Sequence, residues 1–158
     1  MLNHVDAKGN VTVQEVASNG RTPDKKLFLG PGGVVLSQCL LSEDGKRLNA
    51  RAIVQNGVVT EVLIDSNGKG TADTRQVLRG GQLVELHADT NGDGRPDVVQ
   101  YFAGEEIRQQ DEDTDFDGLV DQRFQGNQPQ AVPANTKLAG DAFGKLGCGA
   151  FHRFWWKR

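Results

Sequence analysis

Glycine recurs in this chain at a fixed step: Gly9, Gly33, Gly57 and Gly81 each stand 24 residues after the one before. Each is followed by a strand-like run: NVTVQEV (10–16), VVLSQCL (34–40), VVTEVLI (58–64) and QLVELHA (82–88). A fifth glycine, Gly104, has drifted by one residue and precedes EEIRQQD. A second apolar run lies ahead of the later glycines, at KLFL (26–29), RAIV (51–54), RQVL (75–78), VVQYF (98–102) and QRF (122–124). A period of this size marks a repeat architecture, in which one unit cannot bury its apolar face alone and neighbours must stack. The unit here is a polar loop, a strand, a tight glycine turn and a second strand. Asn56-Gly57 between two apolar runs is the strongest short-range signal for a two-residue hairpin.

These units predict an all-β fold, an antiparallel β-meander of about ten strands built from 24-residue hairpin repeats. Tight turns line one edge and polar loops the other. A twisted sheet of that many strands tends to curl or split, and Val62, Leu63 and Ile64 are apolar in succession. A rolled or layered sheet is therefore expected. Composition agrees: 37% hydrophobic residues, 20 glycines and a single Met argue against a helical bundle. In QGNQPQAVPANT, Pro129 and Pro133 are expected to end regular pairing. The organisation is then a repeat domain over 1–136 and a tail over 137–158. That tail holds Phe143, Phe151, Phe154, Trp155 and Trp156. Its expected role is an aromatic cap on the end of the repeat array. Docking into another protein or a second copy is an alternative. So is contact with a membrane surface or glycan, through the tryptophans with Arg153, Lys157 and Arg158.

The polar loops carry the chemistry. DTNGDGRPD (89–97) and DTDFDGLVD (113–121) place oxygen side chains at positions 1, 3, 5 and 9 around a glycine at position 6. Asp89, Asn91, Asp93 and Asp97 form one set; Asp113, Asp115, Asp117 and Asp121 form the other. A hard cation taking six to eight oxygens suits such a set. Crowded carboxylates repel one another unless something neutralises them. Calcium (Ca2+) fits a flexible all-protein loop better than Mg2+, which demands stricter octahedral geometry and keeps its waters. The main-chain carbonyls of Arg95 and Leu119, at position 7, are further candidate ligands. The same residues also dominate plain Asx turns, but two complete copies at one period favour the metal. A third loop, DSNGKGTAD (65–73), has Lys69 where the acid should stand, which argues against an ion there. ASNGRTPD (17–24) and LSEDGKRL (41–48) read as plain turns. Asp111 reads as a solvated acid, or else as one leaning toward the loop at 89.

Position 12, a bidentate Glu in an EF-hand, is Gln100 or Phe124, and the flanks are strands. A helix-pair sensor is therefore excluded in its usual form. The loops resemble the DxDxDGxxD loops of thrombospondin type 3 repeats and dockerins. The whole unit, over roughly 9–125, resembles the calcium-loop hairpin repeats of bacterial secreted and surface proteins. That resemblance implies an extracellular, cell-surface or periplasmic setting. Millimolar calcium there fills even sites of roughly 10⁻⁴–10⁻³ M affinity. It further implies a protein or glycan partner at the surface, with self-association possible.

Nothing marks an enzyme. No nucleophile elbow, P-loop or dinucleotide fingerprint is present. Glu61 and Glu85 stand 24 apart on one expected sheet face, a spacing that already follows from the repeat; glycan hydrolysis through them is the weakest reading. Of the three histidines, His4 reads as near a frayed end, His87 as a half-exposed strand residue and His152 as part of the tail. A net charge of -3 disfavours nucleic acid. No run of about 18 apolar residues suggests a membrane span, so a membrane is reached only through an anchor or partner. MLNHVDAKG lacks the basic and apolar regions of a signal peptide, so the chain is either cytosolic or a mature form without its leader. The calcium loops favour the second. Cys39 and Cys148 match no metal spacing; they are either a disulfide or two buried thiols.

Overall fold

The structure, a computed structural model, describes residues 1–42 and 44–156. Glu43, within the turn expected at 41–48, and Lys157 and Arg158, grouped above with the tail tryptophans, lie outside the described residues. The chain is an antiparallel β-meander. Its strands are β1 (Leu2–Val5), β2 (Val11–Val16), β3 (Lys25–Leu29), β4 (Val35–Leu41), β5 (Leu48–Gln55), β6 (Val58–Ile64), β7 (Thr74–Arg79), β8 (Gln82–Ala88), β9 (Val98–Ala103), β10 (Glu106–Glu112), β11 (Gln122–Gln125) and β12 (Gln128–Gln130). Hydrogen-bonded order follows sequence order from β1 to β12, so the sheet is open. Among the described residues, helix is limited to single 3₁₀ turns at Pro31–Gly33 and Arg153–Trp156.

The hairpin turns form where the repeat predicts them. Asn56 and Gly57 have φ of 52° and 77°, the pair of positive values that a type I′ turn requires. Two strands exceed the expected ten. β1 is too short to show a period, yet it pairs with β2 from Leu2↔Glu15 onward. β12 contains Pro129, which was expected to end pairing; instead it sits opposite Phe124. An edge strand tolerates a proline because one side of its backbone has no partner strand to serve.

The chain divides into two compact units, Met1–Val62 with Leu146–Arg158, and Leu63–Lys145. In the first, one face of the sheet carries a cross-strand row: Glu15 opposite Lys26, Lys26 opposite Cys39, Cys39 opposite Arg51. Directly opposed residues share a face and touch. The C-terminal segment lies on this row. Arg51 Nη1 donates to the carbonyl of Leu146 at 3.0 Å, and Cys148 is disulfide-bonded to Cys39. Lys26 Nζ donates to the carbonyls of Cys148 and Ala150, each at 3.0 Å. Finally, the His152 N–H donates to the Glu15 carboxylate. The Arg51 guanidinium also stands 4.3 Å from the centre of the Phe28 ring, and burial pushes its pKa below the usual arginine value.

In the second unit the equivalent row is Arg75, His87, Val99, Asp111 and Arg123. Here too the row holds a tail segment: Arg75 lies 5.3 Å from the centre of the Phe143 ring and donates to the Asp141 carbonyl at 3.4 Å. His87 is not half-exposed as expected from its strand; it is 5% exposed and pressed against Gly140. Asp111 is neither solvated nor aimed at the loop at 89. It is 3% exposed and accepts both arms of the Arg123 fork, at 2.7 and 3.0 Å. That pairing raises the Arg123 pKa.

Candidate metal centre

The three loops opening at Asp65, Asp89 and Asp113 all lie in the Leu63–Lys145 unit and share one hydrogen-bonded skeleton. The position-1 carboxylate folds back over its own loop. Asp89 accepts the N–H groups of Gly92 and Gly94, each at 2.8 Å. Asp65 accepts those of Gly68 and Gly70 at 2.9 and 2.8 Å. Asp113 accepts those of Asp117 and Gly118 at 3.2 and 2.7 Å. Position 9 fixes the loop's entrance. Asp97 accepts the Thr90 N–H and hydroxyl at 2.8 and 2.6 Å, Asp121 those of Thr114 at 2.7 and 2.9 Å, and Asp73 those of Ser66 at 2.9 and 2.6 Å. These donors lower the Asp121 pKa, the Thr114 hydroxyl most.

Position 6 needs glycine for backbone reasons. Gly70, Gly94 and Gly118 have φ of 86°, 86° and 90°, a region where a side chain is strained. Position 4 has the same demand, met by Gly68 and Gly92 at 75° and 79°. In the third loop it falls on Phe116, at 61°, whose ring is exposed.

Successive loops are joined. The Asp89 N–H donates to the Asp73 carbonyl at 2.9 Å, and the Asp113 N–H to the Asp97 carbonyl at 2.8 Å. A cleft of about 340 Å³ between the second and third loops is lined by Asp93, Asp97, Asp113, Phe116 and Asp141 among others. A smaller one of about 270 Å³ brings Lys69 to the same wall as Asp89 and Asp93.

The structure brings Asp113, Asp115 and Asp117 together: each offers an oxygen, and the three oxygens lie within 4.8 Å of one another. A calcium ion at roughly 2.3–2.6 Å from each oxygen spans such a set. The donors are hard oxygens, and their hydrogen bonds leave acceptor capacity, since an ionised carboxylate has about four lone-pair sites. The donor set therefore fits calcium. Partial desolvation, then the neighbouring Asp117 carboxylate, holds the Asp115 pKa above the usual aspartate value. Asp121 is turned to Thr114. In the loop at 89, Asn91 and Asp93 stay exposed and accept the N–H groups of Asp93 and Arg95, at 3.2 and 2.8 Å. The Leu119 N–H caps Asp117 at 2.9 Å. Gln100, at position 12, is engaged elsewhere: its amide donates to Gln110 at 2.8 Å.

The tail's part in this site was not foreseen. The Val120 N–H donates to the Thr136 carbonyl at 2.8 Å, and the Leu138 N–H to Gly118 at 3.1 Å. The Phe143 N–H reaches Gly94 at 2.7 Å, and Gly144 accepts from Ala72 at 3.0 Å. Residues 136–145 thus run back along the loop edge from the third loop to the first, as a strap. Arg75 was another residue missed. Its signal was present, since Arg51, Arg75 and Arg123 share one place in the repeat.

No protein-family model matches the chain, and no curated protein matches it. Among solved structures it is similar to a chain in the crystal structure of accessory secretory protein 1, 2 and 3 of Streptococcus pneumoniae, with 15% identity and a TM-score of 0.42. The match covers 62% of this chain and 21% of that one. This chain therefore spans only a small part of that protein, and the likeness is too slight to bear on function.

Proposed function

We propose that the chain is a non-enzymatic, calcium-stabilised structural or binding module of a bacterial surface or secreted protein. The observation that carries this reading is the convergence of Asp113, Asp115 and Asp117 oxygens in a loop whose backbone already holds Asp113 in place. Calcium would supply the charge that lets these carboxylates, and by repeat those of Asp89, Asp93 and Asp97, sit side by side. The ligand shell would be completed by Asn91, Asp121 and the position-7 carbonyls of Arg95 and Leu119. Fixed loops set the register of the strands that flank them, and the product is a rigid face for a protein or glycan partner.

The Cys39–Cys148 bond supports an extracytoplasmic setting, because disulfides persist in oxidising compartments and are rare in the cytosol. A second reading, assembly through the tail, has one observation in its favour: Trp156 is 66% exposed. Phe143 and Trp155, by contrast, are buried within the chain. Calorimetric titration with CaCl₂ tests the first reading. Two sites are expected, with the loop at 65 silent because Lys69 occupies position 5. An absence of binding at millimolar calcium would contradict it.

A further inference from the structure

The position-6 glycines are held from two sides. The Gly118 N–H donates to Asp113 at 2.7 Å, and its carbonyl accepts the Leu138 N–H at 3.1 Å. The Gly94 N–H donates to Asp89 at 2.8 Å, and its carbonyl accepts the Phe143 N–H at 2.7 Å. On one side is the carboxylate that would hold the ion; on the other is the strap.

We propose that docking of the strap, residues 136–145, and filling of the loops at 89 and 113 are one linked equilibrium, each strengthening the other. The inference rests on the calcium reading above. Gly94 and Gly118 have wide conformational freedom when unheld, and ordering them costs entropy. An ion gathering Asp113, Asp115 and Asp117 orders Gly118, and the strap then docks on a residue that is already fixed. The reverse holds by the same factor, because coupling between two binding events is reciprocal. The far end of the strap rests on the loop at 65, Ala72 N–H to Gly144 at 3.0 Å and a bridge between Thr71 and Lys145, so Ala72 reports docking of the strap at a loop where Lys69 stands in place of an acid.

Amide hydrogen exchange by NMR on the full chain, disulfide intact, in saturating CaCl₂ and in EDTA, tests this. Exchange at Leu138 and Phe143 is expected to slow by about tenfold or more with calcium, the usual size of a coupling between sites. Exchange at Ala72, whose N–H is held by the strap's Gly144, should slow with them, while exchange at Gly30, far from the loops in sequence, whose N–H donates to the Val34 carbonyl, should change by no more than about twofold, well below such a coupling. Equal slowing at Gly30 would overturn the inference by showing general stabilisation. Unchanged exchange at Leu138 and Phe143, while calorimetry shows calcium bound, would overturn it and leave the calcium reading standing. No binding at all would remove both.

Discussion

The N–H of Asp113 donates to the carbonyl of Asp97 at 2.8 Å, tying the first residue of one acidic loop to the last residue of the loop before it. Because the same bond joins Asp89 to Asp73, three loops form one continuous edge. Within that edge some carboxylates both build the loop and offer an oxygen to an ion, as Asp113 does, while others, such as Asp117, would mainly face the ion.

Asp113 and Asp117 separate the two roles. Asp113 is 4% exposed and accepts two backbone N–H groups, so Asp113→Ala should cost about 2–4 kcal/mol even in EDTA, the size expected for hydrogen bonds to a charged group. Asp117 is exposed and repelled by its neighbours, so Asp117→Ala should cost less than about 1 kcal/mol in EDTA and remove the share of the calcium gain that comes from the loop at 113. Urea midpoints in the two buffers measure both.

The tail should be held chiefly by the disulfide. Cys39 and Cys148 are 109 residues apart, and closing a loop of that size restricts the unfolded chain by about 4–5 kcal/mol on the chain-entropy model. Chemical reduction, or paired alanine substitution, should lower stability by that order. Denaturant unfolding with and without reductant reads it directly.

How much of this was legible in the sequence depends on which groups make the contact. Hairpins and acidic loops were readable because glycine and aspartate recur in register. The course of the tail was not, because it is held largely through its own backbone: the carbonyls of Leu146, Cys148 and Ala150 and the N–H groups of Leu138, Phe143 and His152 carry no sequence signature. Cys39 pairs with Cys148 because it sits in the row the tail crosses, which a spacing of 109 could not reveal. Pro129 misled because edge position, not composition, decides whether a strand tolerates proline.

Gly140 should be irreplaceable while His87 is present. Its φ is 99°, and an added Cβ would lie 2.5 Å from His87 Nδ1. Gly140→Ala is expected to cost about 2–3 kcal/mol from backbone strain and overpacking. Adding His87→Ala should return part of that, so a double-mutant cycle should give a coupling of at least about 0.5 kcal/mol.

Acid should loosen the first unit through Glu15. This residue is 1% exposed. Burial opposes its ionisation, but the His4 hydrogen bond, the His152 N–H and the charges of His4 and Lys26 outweigh that, and its pKa falls below the ordinary 4.5. A lowered carboxyl pKa stabilises the fold fully above 4.5, and that stabilisation is lost as pH falls through the folded value. Glu15→Gln should flatten the acid limb of the stability–pH curve, measured as urea midpoints across that range.

The central claim, that calcium holds the acidic edge, is tested most directly by thermal melts in millimolar CaCl₂ and in EDTA, for the wild type and for Asp93→Ala/Asp117→Ala. A ligand bound only to the native state must raise stability by mass action, by about 2.7 kcal/mol at a hundredfold excess over Kd. The account predicts a rise of many degrees in the wild type and none in the double variant. Superimposable wild-type melts in the two buffers would contradict it and leave the loops as turns.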